Sequence, residues 1–180
     1  MRRRNRLTRS CMNSIAIVGH FPRRGSDKRQ ALGLNIETVR AMLLASQEAW
    51  NSGSIEGVLE KYVDDLVYIT NAGGPNGETL RIEGKDNLRR RLRASMDACD
   101  SQARIDSVRE DRGLIRTRLS AVIRHKASGH TINLSLRQIL RLEGFRIAEQ
   151  VEYHDAAKLA AFWRLAGDTR GERKDPASVG

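Results

Sequence analysis

The segment "HTINLSLRQILRL", residues 130–142, alternates with a period of two. Ile132, Leu134, Leu136, Leu140 and Leu142 fall on one side, and Thr131, Asn133, Ser135, Arg137 and Arg141 on the other. An extended chain puts alternate side chains on opposite faces, so this stretch is predicted to be a strand with one dry face and one wet face. It belongs to a succession. "ARIDSVRE" turns through "DRG" into "LIRTRLSAVIRHK", "ASG" leads into the alternating segment, and "EGF" leads into "RIAEQVEYH". Strands joined by such short turns form an antiparallel meander. Long hairpin-linked strands twist and curl, and the apolar side of the sheet needs a cover.

The cover is legible on either side of the meander. In "NIETVRAMLLASQEAWNSG", Val39, Met42, Leu43, Ser46, Ala49 and Trp50 recur at helical spacing, with Asn35 as the cap and Gly53 as the stop. Ser54 caps a second helix, "IEGVLEKYV", whose buried stripe is Ile55, Val58, Leu59 and Tyr62. "DLVYITN" is a β-branched, aromatic strand; "AGGPNG" is a loop and "ETLRIEG" a brief extended piece. A third helix, "KDNLRRRLRASMDAC", buries Leu88, Leu92, Met96 and Cys99 and turns Arg89, Arg90, Arg91 and Arg93 to water. A closing helix begins at Asp155 and carries Ala156, Leu159, Ala160 and Trp163 on one stripe. This order predicts an α+β fold. It is a cone-shaped barrel of a strongly curved antiparallel sheet wrapped around about three helices, plus a C-terminal helix. A hollow enclosed in this way is a natural ligand site.

Charge is distributed unevenly. The net formal charge is +10, yet residues 1–33 hold nine Arg and Lys against Asp27 alone, which leaves the rest of the chain nearly balanced. Residues 1–33, without amphipathic period, are expected to form a disordered basic tail, residues 34–166 the domain, and residues 167–180 a second polar tail. Three accounts of the basic tail stand open: a stretch without a role, an organelle-targeting presequence, or an arm for anionic polymers or lipids. Phe21 is its one aromatic, which disfavours base stacking and makes nucleic acid an unlikely partner for the domain. No apolar run approaches the roughly 20 residues of a membrane helix. Cys11 and Cys99 make no disulfide framework, so a reducing, cytoplasmic setting is expected. The four histidines lack metal-ligand spacing, and no metal or cofactor is expected.

With the elements placed, "AWNSGSIEGVLEKYVDDLVYI" and "LRQILRLEGFRIAEQVEYHDAAKLAAFW" resemble the SnoaL-like (polyketide-cyclase-like) branch of the nuclear transport factor 2-like superfamily, over Ile36 to Leu165. The resemblance implies a usually dimeric cone with an apolar cavity and no obligatory cofactor. Its members include isomerases, cyclases, dehydratases and epoxide hydrolases, and many that merely bind. In ketosteroid-isomerase-like members an acidic base follows the "YADD"-type motif; here Thr70 holds that place, which disfavours that chemistry. In SnoaL-like cyclases the proton-abstracting Asp precedes the last helix, and Asp155 matches it.

Asp155 also has the position of a helix cap, and capping lowers a carboxylate's pKa whereas a base needs it raised. His154 is a second catalytic candidate. Glu152 shares its face, and Tyr153 takes the other. Whether His154, Glu152 and Gln150 or Tyr153, Val151 and Glu149 look inward is left open by the alternation alone. Gln138 interrupts the leucine face of its strand, and so either knits a core network or meets a ligand. Tyr68, Trp50 and Tyr62 are expected to line or pack the cone. Gln138, Tyr68, Trp50, Tyr62, Glu152 and Tyr153 are the candidate substrate contacts. The expected ligand is a small apolar organic molecule, handled by proton abstraction in an isomerase, cyclase or hydrolase, or simply bound by a non-catalytic module. A homodimer is expected through the open sheet face, with Thr131, Asn133, Ser135 and Arg137 as contacts.

Overall fold

The computed structural model describes residues 35–73 and 78–167. The expectations for the basic tail, the C-terminal tail and most of the "AGGPNG" loop lie outside the described residues.

Helix α1 (Ile36–Asn51) starts where Asn35 Oδ1 accepts a hydrogen bond from Glu37 N at 2.9 Å. Gly53, at φ 75°, takes the left-handed conformation that ends it. Ser54 Oγ caps α2 (Ile55–Leu59), accepting from Gly57 N at 3.2 Å. The helix is shorter than its periodicity suggests, because Tyr62 begins strand β1 (Tyr62–Thr70) instead of extending the helical stripe. Pairing explains the switch. Ile147 N donates to Lys61 O at 2.7 Å, and Tyr62 lies in register with Ile147, so strand partners capture the chain. Strand β2 (Leu80–Glu83) and helix α3 (Lys85–Ala98) follow. The meander is β3 (Cys99–Asp111), β4 (Leu114–His125), β5 (Thr131–Glu143) and β6 (Arg146–Tyr153), and α4 (Ala156–Gly167) closes the domain.

The six strands form one curved sheet in the order β2-β1-β6-β5-β4-β3. It is mixed, whereas the sequence suggested an antiparallel one. The pair β1 and β6 runs parallel, because the last strand returns beside the first after the whole meander has been laid down. All other pairs are antiparallel.

Helices α1, α2 and α3 cover the concave face. Val39, Leu43, Leu59, Leu66, Leu140 and Ile147 anchor that core, and Leu66 and Leu140 are completely buried. At the other side Leu159 and Phe162 of α4 pack on Cys99, Ile132 and Leu134. Each such buried aliphatic or aromatic side chain contributes about 1.5–3 kcal/mol. The register also places one row of polar residues across this apolar face. Thr117 of β4 pairs with Gln138 of β5, Gln138 with Glu152 of β6, and Glu152 with Thr70 of β1.

Candidate functional site

Between the helices and the concave face lies a cavity of about 250 Å³. Leu43, Val58, Leu119, Leu134 and Trp163 supply apolar wall, and the polar row supplies a seam of hydrogen-bonding groups. Glu152 is the centre of that seam. Its Oε1 accepts from Gln138 Nε2 at 2.7 Å and from Gln150 Nε2 at 2.6 Å. Its Oε2 accepts from Tyr68 Oη at 2.6 Å and lies 3.1 Å from His154 Nε2. Further bonds hold the donors in place: Thr117 Oγ1 donates to Gln138 Oε1 at 2.9 Å, and Tyr62 Oη to Gln150 Oε1 at 2.6 Å.

These contacts set the protonation states. Burial pushes the Glu152 carboxyl up, but its bonds to His154, Tyr68 and Gln138 and the charge of His154 outweigh burial and hold it below the ordinary value of 4.5. Glu152 is therefore a carboxylate at neutral pH, engaged by four donors. Tyr62 and Tyr68 are pushed far above the ordinary tyrosine range, first by burial and then by the nearby Glu152 charge. Both keep their hydroxyl protons.

His154 follows Glu152 by two residues at the end of β6, so strand geometry puts both on the cavity face. Asn71 clamps the strand end: its Oδ1 accepts from His154 N at 2.8 Å, and its Nδ2 donates to His154 O at 3.0 Å. With a carboxylate beside Nε2, that nitrogen is the one protonated whenever the ring is neutral, and the lone pair of the neutral ring lies on Nδ1. Nδ1 is buried and has no hydrogen-bond partner among the described residues.

Arg91 completes the charged lining. Leu88, Arg91, Leu92 and Ser95 of α3 share the stripe that faces the cavity, as their spacing of three and four requires. The reading of Arg91 as part of a solvated face is thus corrected: it lies three residues after buried Leu88, so the helix turns it inward, while Arg90 and Arg93 stay exposed.

Of the residues singled out in the sequence, His154, Glu152, Gln138, Tyr68, Tyr62 and Trp50 line the cavity together. Trp50 Nε1 donates to Ser101 Oγ at 3.2 Å. Gln138 knits the core network and borders the cavity at once. Two residues depart from expectation. Tyr153 points to the opposite face of the sheet, beside Arg137, because it alternates with Glu152 and His154. Asp155 is exposed, is not part of the cavity wall, and caps α4 by accepting from Lys158 N at 3.0 Å. The chain leaves the sheet at His154 and must bend into the helix, and that bend carries the Asp155 carboxylate away from the hollow. Gln150 and Thr117 were not singled out as site residues; the period of two through Glu152 was the available signal for Gln150. Thr70 is buried and borders the cavity.

Residues 43–150 match the family model described as the SnoaL-like domain. The chain belongs to this family. Three solved structures show how widely the SnoaL-like architecture is shared. An NTF2-like protein of unknown function from Burkholderia pseudomallei is 18% identical, with 69% of this chain and 96% of that chain covered, at a TM-score of 0.63. An LEH-like epoxide hydrolase from M. tuberculosis is 17% identical, with 72% and 91% covered and a TM-score of 0.58. PrhC from Penicillium brasilianum is 15% identical, with 75% and 91% covered and a TM-score of 0.65. At these identities the likeness is one of fold. No curated protein matches this SnoaL-like chain. Among its described residues no helix is long and apolar enough to cross a membrane.

Proposed function

We propose that this SnoaL-like domain is a cofactor-independent acid–base enzyme acting on a small, mainly apolar organic molecule, with His154 as the group that moves the proton. The carrying observation is the His154–Glu152 contact inside an apolar cavity. Glu152 fixes the ring in the Nε2–H form, leaves Nδ1 as the acceptor, and stabilises the imidazolium that results when the ring takes a proton. Nδ1 is buried at rest, so wall side chains must move aside for a bound molecule to reach it while Glu152 keeps Nε2; catalytic contacts often tighten only around the substrate. Glu152 itself is a poor base, since four donors occupy its lone pairs and its pKa is lowered. Proton abstraction beside an electron-withdrawing group fits this arrangement, whether the outcome is isomerisation, cyclisation or hydrolysis.

A second reading draws on the same saturation: a carboxylate with four donors is also a structural knot, and the domain would then bind without turnover. Ring opening of 5-nitrobenzisoxazole separates the two, because it requires only a base in an apolar site. The base removes the C3 proton, the N–O bond breaks, and the charge leaves on the phenolate oxygen. Acid–base function predicts acceleration over free imidazole and a loss of about a hundredfold in H154Q. Wild-type protein that gives no acceleration, or H154Q that retains it in full, supports the binding module instead.

A further inference from the structure

We propose that Arg91 is the anchor for an anionic group, so that the cavity selects compact, mainly apolar carboxylates over neutral molecules of the same shape. The inference rests on the reading of the cavity as a small-molecule site and specifies what enters it. It starts from how the other donors in the wall are used. Tyr68, Gln138 and Gln150 spend theirs on Glu152, Tyr62 spends its own on Gln150, and Trp50 donates to Ser101. Each glutamine amide keeps a second N–H, and Ser46, Gln47 and Ser95 also stand in the wall, but all of these donors are neutral.

Arg91 is different. It is half-buried in the cavity wall and has no hydrogen bond or ion pair with any described residue, although its neighbours on α3 do: Arg89 pairs with Glu56, and Arg90 donates to Asn87. The cation looks toward the seam closely enough to favour ionisation of Tyr68, against the stronger effects of burial and Glu152. An arginine is held on a partly dry surface by packing of its stem, and its five N–H groups still seek acceptors. A carboxylate meets that fork with two parallel bonds. Glu152 does not compete for the role, since its own lone pairs are taken. A ligand held at Arg91 by its carboxylate would lay its apolar body against Leu88, Leu92 and Leu119, within the space His154 borders.

The test uses 2-naphthoate and its neutral isostere naphthalene-2-carboxamide, titrated into the full chain and followed by ligand fluorescence. The expected result is a preference of about tenfold or more for the carboxylate, the scale of a charged hydrogen bond. R91Q should erase the preference while keeping carboxamide affinity, R91K should keep part of it, and R90Q should leave it intact. Equal binding of both probes by the wild type, or a preference that survives R91Q, overturns the inference while the cavity stands. Failure of the wild type to bind either probe overturns the small-molecule reading and this inference with it. Unchanged melting of R91Q guards against a loss of fold.

Discussion

Glu152 in β6 and His154 just past its end meet at 3.1 Å between Oε2 and Nε2, and three further donors hold the same carboxylate. A carboxylate removed from water in this way is stable only while all its partners remain.

Replacing it with the amide tests that dependence. In E152Q an NH₂ group faces donors that expect an acceptor, leaving buried groups unpaired at a cost of about 1–3 kcal/mol. Urea unfolding should show that loss, and 5-nitrobenzisoxazole opening should fall with it, because the ring of His154 loses its tautomer partner.

Acid should act through the same group. The folded pKa of Glu152 lies below its ordinary value of 4.5, so the stability it contributes is present above that value and is lost as pH falls through the lower, folded one. The melting temperature of the wild type should therefore drop below about pH 4.5. In E152Q that part of the drop should be missing.

Alkali reports on the tyrosines. Tyr62 and Tyr68 have folded pKa values above the ordinary 10, so their neutral forms contribute stability below pH 10 that is lost as pH rises from there toward the folded values. Absorbance at 295 nm should show these two ionising together with unfolding and not in a separate step near pH 10. Y62F should shift the unfolding transition in alkali more than in neutral buffer.

Asp155 should behave as a cap. D155A removes the bond to Lys158 N at the start of α4 and should cost about 1 kcal/mol, read as a lower melting temperature. Rates with 5-nitrobenzisoxazole should stay within twofold or so of wild type below the melting point, as expected of a group outside the cavity.

The outer face of the sheet makes a separate point. Arg109 lies opposite Arg116, and Arg118 opposite Arg137, with Asp111 pairing Arg116 at 2.7 Å. Like charges directly opposite one another destabilise a sheet, so R118E should stabilise the domain by about 0.2–1 kcal/mol. The homodimer contact expected from the sequence, through Thr131, Asn133, Ser135 and Arg137, would use this same face. Added salt should therefore strengthen association of the wild type, seen by sedimentation velocity, as screening weakens the repulsion.

Much of the fold is legible in the sequence. Residues 130–142 alternate as they do because a strand between core and water must, and Asn35, Ser54 and Asp155 announce helix starts because a free backbone N–H needs an acceptor. These are local rules, satisfied within a few residues. The switch at Tyr62 escaped them, since the choice between helix and strand was made by Ile147, far along the chain.

The candidate site divides in the same way. Alternation by itself determined that Gln150, Glu152 and His154 share one face and that Tyr153 takes the other; which face turns inward was decided by the packing of α1, α2 and α3. That Glu152 gathers donors from β1, β5 and β6, that Arg91 turns into the cavity, and that Asp155 turns out of it were decided by the tertiary structure. A periodic pattern specifies direction around a local axis. Hydrogen bonds and charges depend on distance between groups on different elements, and curling of the sheet sets those distances.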